Sequence, residues 1–251
     1  MSAGTAWMQA FPVEQANRAV EALMRSWREM ASQERLHFSP KTKEPNLTRV
    51  VRAHIRKKVA PEMKLLGHWG TEGVENDVDL ETGQILDEGR TDIEYTWNNE
   101  SFQLTLVFEF KKLTSLGESR KRYLEDGLMR FVTGVYSVGE PLAVMVGILM
   151  APPADAIDGL RRSMEHAPTA AAIRACENGD GRFVHAPSVL FPEHASFDTE
   201  HLRDSDKAPA HGTIRIAHAF VDFPYATFPE KKPKKRAHRL EQLERELQAP
   251  G

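Results

Sequence analysis

The sequence predicts an α/β protein with a mixed central sheet flanked by helices, and three observations carry that prediction. Residues 92–97 and 101–113 alternate apolar and polar side chains, as two half-buried strands do. Residues 142–150 form a continuous apolar run, the pattern of a strand covered on both faces. Before and between these runs, apolar residues recur at helical spacing over 13–31, 47–59 and 119–137.

The composition agrees. At 251 residues, with 41% hydrophobic and 27% charged residues, the chain can bury a sizeable core. A net charge of -3 excludes a uniformly basic coat, so any contact with nucleic acid must come from local patches. Cys176 is the only cysteine, which excludes internal disulfides and cysteine-based zinc modules and leads us to expect a reducing cytoplasm. The N-terminus has no basic start followed by an apolar run, and the longest apolar run, 142–151, is too short for a bilayer. A soluble protein with no membrane partner is the expectation. Phosphate-binding G-x-x-x-x-G-K-[ST], G-x-S-x-G and H-E-x-x-H motifs do not occur.

In chain order, Val13, Ala16, Val20, Leu23, Met24, Trp27 and Met30 stripe the first helix, within an N-terminal extension (1–43) that packs on the main body or on a second subunit. Asn46 is an expected N-cap for a helix over 47–59, with Leu47, Val50, Val51 and Ile55 on its apolar side. Arg49, Arg52 and Arg56 make that helix basic, either to meet phosphate or as a solvated face. Residues 63–69 read as a first strand. The acidic stretch 72–88 suggests a calcium loop but has Thr82 where the sharp turn needs glycine, so a hairpin turning at 81–83 is expected.

The central pair of strands carries the chemistry. Ile93, Tyr95 and Trp97 fall on one face, as do Leu104, Leu106, Phe108 and Phe110, leaving Asp92 and Glu94, and Glu109 and Lys111, on the other. A two-residue turn at Asn99-Glu100, closed by Asn98 opposite Ser101, puts both polar faces on one side, with Asp92 facing Val107 and diagonal to Glu109. Two carboxylates so close to an apolar sheet call for a cation, and a hard divalent ion held by oxygens is the usual one. With Lys111 beside it, that constellation suits phosphodiester hydrolysis.

Over 119–137, Leu124, Leu128, Phe131, Val132 and Val135 form a buried stripe, with Lys121, Arg122 and Arg130 off it. Gly127 and Gly134 suggest close packing on the sheet. Helices are expected at 155–166 and 169–177, and strands at 189–191 and 213–223. His201, Arg203 and His218 stand out without an assigned role. Residues 227–251 hold Lys231, Lys232, Lys234, Lys235, Arg236 and Arg239, then Leu240, Leu243 and Leu247, either a basic arm with a small partner helix or a solvated terminus.

Asp92 followed by Glu109-Phe110-Lys111 resembles the motif of the PD-(D/E)XK nuclease superfamily, with Thr91 where the family has proline. The order helix, three strands, helix, strand from residue 46 to 150 resembles that family's core. The resemblance implies a restriction-endonuclease-like αβββαβ core within a domain spanning 44–226, with helical and β additions. It implies Mg2+ or Mn2+ held by Asp92, Glu109 and the carbonyl of Phe110, with Glu44 as the candidate further acid or as a solvated loop residue. Lys111 would position or activate the attacking water, and Arg49, Arg52, Arg56, Lys121 and Arg122 would contact the backbone of DNA. A DNA endonuclease, in defence against foreign DNA and targeted by homodimerisation or a partner protein, is the implied function. The alternatives are a catalytically silent nucleic-acid-binding or scaffold subunit, and an exposed ion-paired sheet face.

Overall fold

The computed structural model describes residues 11–70 and 92–227, together with the backbone of Val74–Val78 and Ile85–Arg90. The protein is α/β. A seven-stranded open sheet has the order β1-β4-β5-β6-β9-β8-β7, formed by His68–Gly70 (β1), Ile93–Asn98 (β4), Gln103–Leu113 (β5), Leu142–Leu149 (β6), Val184–His185 (β7), Ala195–Leu202 (β8) and Thr213–Val221 (β9). Val74–Val78 (β2) and Ile85–Arg90 (β3) pair antiparallel as a separate ribbon. The turn expected at 81–83 and the side chains of the acidic stretch lie outside the described residues, as does the basic tail beyond residue 227. The β5-β6 and β6-β9 pairs are parallel and the others in the large sheet antiparallel, so the sheet is mixed.

Helices cover both faces. On one lie α1 (Val13–Ala31) and α2, which runs from Glu44–His54 through a π-helical stretch, Ile55–Val59, to Ala60–Glu62. The stripe of α1 is mostly small: Ala16, Ala19, Ala22 and Ala31 bring its backbone close to the sheet, and Trp27 fills the space between them. Trp27 stacks at 6.3 Å from Phe110 of β5, and its indole N–H donates to the carbonyl of Asp222. The N-terminal helix therefore shares a core with the even-numbered residues of β5 and β6, among them Phe108, Phe110, Val144 and Val146.

On the other face lies α3, running from Gly117–Arg122 through a second π-helical stretch, Tyr123–Leu128, to Met129–Val132. Beside it are α4 (Pro153–Glu165) and α5 (Ala167–Ala172). Val107, Ala143 and Met145 meet Leu128, Phe131 and Leu160 there. Helix α3 is shorter than expected, because Gly134 at φ +73° and Ser137 at φ +56° turn the chain out of the helix. Among the described residues no helix is long and apolar enough to cross a membrane.

Several expected elements are displaced. The segment expected as a first strand over 63–69 begins as a turn just after α2, leaving only His68–Gly70 extended; Gly67, at φ +122°, packs against the ring of Tyr95 where a Cβ would not fit. The helix expected to start after Asn46 starts instead at Glu44 with Pro45 in its first turn, a position that proline favours. The strand expected at 189–191 is a loop with Val189 exposed, and the strand next to β9 is β8.

Candidate active site

The turn between β4 and β5 sets the geometry of the site. The carboxamide oxygen of Asn99 accepts from the amides of Ser101 and Phe102, and the Asn99 amide donates to the Phe102 carbonyl. The two-residue turn is therefore Glu100-Ser101, one residue later than expected, because Asn99 makes an Asx-type closure that Asn98 would have to forgo. One residue in the turn moves the pairing by two: Ile93 faces Phe108 and Asn98 faces Gln103. The polar faces still coincide, but Asp92, next before Ile93, now comes to Glu109 directly rather than to Val107. Its Oδ2 accepts the Phe110 amide at 2.9 Å.

Glu109 is 2% exposed, on the face that α3 covers. Its Oε1 takes the ammonium of Lys111 at 2.6 Å, and its Oε2 is buried with no hydrogen-bond partner. Burial, reinforced by the charge of Asp92, pushes the Glu109 carboxyl up to about 8. Burial also raises Asp92, against the opposing pull of the Phe110 amide and of Lys111. Lys111 is the converse: burial disfavours its ammonium, but Glu109, Glu44 and Asp92 outweigh that and raise its pKa. Its Nζ also donates to the carbonyl of Phe110 at 3.1 Å.

Glu44 belongs to the same group. At the first turn of α2, its Oε2 accepts the backbone N–H of Lys112 at 2.8 Å, and its Oε1 lies 3.5 Å from Nζ of Lys111. A carboxylate in the first turn of a helix sits in the favourable field of that helix's unpaired amides. Lys112 fixes the approach to α2 by donating to the carbonyls of Pro40 and Thr42, both at 2.7 Å. Glu94, one pleat along from Asp92, is half-buried between Gly70 and Val107 and does not join the group.

Helix α3 closes the site from above. Gly127 permits the approach, since a Cβ there would lie 2.6 Å from Cε of Met145 and 3.3 Å from Cγ of Lys111. Arg130, one turn on, places Nη1 3.9 Å from Oε1 of Glu109 and bonds the hydroxyl of Tyr136. The sequence singles out neither Arg130 nor Tyr136 for the site, and Arg130 shows there only as a charge off the apolar stripe.

The expected phosphate contacts are more dispersed. Arg49 and Arg56 are exposed on α2 and Arg52 is half-buried there, while Lys121 and Arg122 are exposed on α3 and pair with Glu125 and Glu118 of their own helix. His201 and His218 are fully buried away from solvent in a relay that assigns its own protons. The Ile173 carbonyl requires a proton on Nδ1 of His201, whose Nε2 then accepts from Thr199; Thr199 accepts from Nε2 of His218, whose Nδ1 accepts from Tyr123. Burial holds His201 down at about 4 and His218 well below the usual range, as two neutral rings demand.

The donors around Lys111 are hard oxygens: the carboxylates of Asp92, Glu109 and Glu44, and the carbonyl of Phe110. With Glu109 Oε2 buried and unpartnered, they suit Mg2+ or Mn2+ better than a soft-ligand metal. Among the described residues no three His, Cys, Asp or Glu side chains form a ready-made cation cage. The Lys111 ammonium lies among these oxygens. No family model, curated protein or solved structure matches the chain.

Proposed function

We propose that the chain is a metal-dependent phosphodiesterase, a DNA endonuclease of the PD-(D/E)XK kind. The observation that carries this reading is the convergence of Asp92, Glu109, the Phe110 carbonyl and Lys111 at one place on the sheet, with Glu44 brought in from α2. Asp92, Glu109 and the Phe110 carbonyl would hold Mg2+ or Mn2+, with Glu44 as the further acid. Bound there, the ion would neutralise substrate charge and lower the pKa of water.

The side chains have distinct tasks. The Phe110 amide fixes the carboxylate of Asp92, and the cover of α3 keeps Glu109 out of water. The neighbouring Glu109, Glu44 and Asp92 raise the pKa of Lys111, and in this reading its ammonium donates to water and stabilises charge on the phosphoryl oxygens. In the overall reaction, the water oxygen bonds to phosphorus as the P–O bond to the leaving sugar oxygen breaks. A role in defence against foreign DNA, in the cytoplasm and with a partner or a second copy for targeting, extends this reading.

The ammonium among the expected metal ligands favours a second reading, a silent nucleic-acid-binding or scaffold subunit. Purified protein with plasmid, linear and single-stranded DNA and RNA, in Mg2+, Mn2+ or EDTA, separates the two. Metal-dependent cutting lost in Asp92→Ala and Lys111→Ala, both folded, supports the nuclease. Nucleic-acid binding without cutting supports the subunit.

A further inference from the structure

The site described above is rich in carboxylates, yet its proposed substrate is an anion. Beside the ion, a cationic side chain at the mouth would meet that anion, and Lys111 is 15% exposed and already held by Glu109 and the Phe110 carbonyl. Arg130 has the opposite character. Its side chain is 44% exposed, it lies over Glu109, and only its Nη1 hydrogen-bonds among the described residues. Its Nε and Nη2 donors remain, and a guanidinium fork matches the spacing of two phosphate oxygens.

Tyr136, itself buried in the core, and the loop that carries it hold Arg130 in place. The guanidinium lies 5.3 Å from the centre of the Tyr136 ring and bonds its hydroxyl, while the Tyr136 amide donates back to the Arg130 carbonyl at 3.0 Å. Tyr136 sits in a loop with three left-handed residues, Gly134, Ser137 and Gly139. Ser137 is the costly one, since a non-glycine residue at φ +56° persists only where its surroundings hold it. Arg203 does the holding. Itself 7% exposed, it donates to the carbonyls of Tyr136 at 2.9 Å, Ser137 at 2.7 Å and Glu140 at 3.4 Å. Gly134 makes room, because a Cβ there would meet Lys207 at 2.6 Å and Nη2 of Arg203 at 3.2 Å.

We propose that Arg130 is a catalytic residue that contacts the non-bridging oxygens of the scissile phosphate, and that Tyr136 and Arg203 are the positioning residues that aim it. This rests on the nuclease reading but is separable from it. A side chain that merely compensated Glu109 would not need a free fork or a strained loop behind it.

The test uses the full chain with Mg2+ and a fluorescent duplex oligonucleotide, and with Ca2+ to follow binding without turnover. Cleavage kinetics, binding and thermal unfolding are compared for wild type, Arg130→Ala, Arg130→Lys, Tyr136→Phe and Lys111→Ala. Loss of charge-assisted contacts predicts kcat/KM lower by about 10- to 100-fold in Arg130→Ala, with partial recovery in Arg130→Lys. Tyr136→Phe keeps the ring and removes only the hydroxyl, so it should fold normally and raise KM several-fold more than it lowers kcat. If wild type cuts, Lys111→Ala does not, and Arg130→Ala matches wild type in kcat/KM and binding, the role of Arg130 is overturned and the nuclease reading stands. If wild type neither cuts nor binds, both fall.

Discussion

Gly127→Ala isolates the packing of α3 on Lys111. Adding a methyl group to a helical glycine normally stabilises by about 1 kcal/mol. Here that methyl would sit 2.6 Å from Cε of Met145, a flexible end that can rotate away, and 3.3 Å from Cγ of Lys111, which has less freedom because its ammonium is bound at both ends. Overpacking of this kind costs about 1–3 kcal/mol. The two effects partly cancel, so urea unfolding should show anything from no change to about 2 kcal/mol of destabilisation. Function should not be spared. Lys111 must retreat by tenths of an ångström from a 2.6 Å contact with Glu109, and a displaced catalytic group can lower the rate by about 10-fold or more. Acylation of the Lys111 amine, followed by mass spectrometry, should become faster in the variant because the ammonium is less tightly held. A variant with unchanged stability, cleavage and acylation would refute the argument that Gly127 sets the position of Lys111.

The buried histidine relay makes stability fall in acid. The folded pKa of His201 is depressed from 6.5 to about 4, so its stabilising effect is whole above pH 6.5 and lost as pH falls through about 4, by about 3 kcal/mol. Urea unfolding across that window should show the loss, and His201→Gln should flatten the slope. Glu44→Gln keeps a carbonyl oxygen for the Lys112 amide but removes the charge 3.5 Å from Lys111. The fold should survive, and half-maximal cleavage should require more Mg2+. Trp27→Ala should cost about 3–5 kcal/mol in unfolding free energy, which would show that α1 is part of the core rather than a detachable extension.

Much of the site was legible because it depends on alternation, and alternation survives errors of register. Misplacing the turn by one residue shifted the pairing by two, an even step that leaves every side chain on its own face. Asp92, Glu109 and Lys111 therefore remained on one side whichever register held, and only their closeness was underestimated. The turn itself was harder to place because Asn98 and Asn99 are both good closing residues. Asn99 is selected by two amides that sequence does not display. Glu44 was readable as a candidate but not as a helical residue, since Asn46 offers the stronger local cap signal and Pro45 hides the earlier start.

What escaped was decided by tertiary contacts. Residues 195–202 carry Asp198, Thr199, Glu200 and His201 in succession where no strand is expected, yet all but Glu200 are fully buried in β8. Each has an internal partner: Asp198 accepts from Ser188, Val189 and Leu190, Thr199 and His201 bond one another, and Glu200 pairs with Arg215 at 2.7 Å. Polarity in sequence signals exposure only when such partners are missing. Glu109 differs from these residues in its hydrogen bonding. Every acid buried in β8 has its hydrogen bonds made from within the chain, whereas Glu109 keeps one buried oxygen unmet and shares the other with a lysine. A fold that satisfies its buried acids so consistently elsewhere leaves this one short where a ligand would complete it, and that contrast is the strongest physical reason to look for chemistry at Glu109.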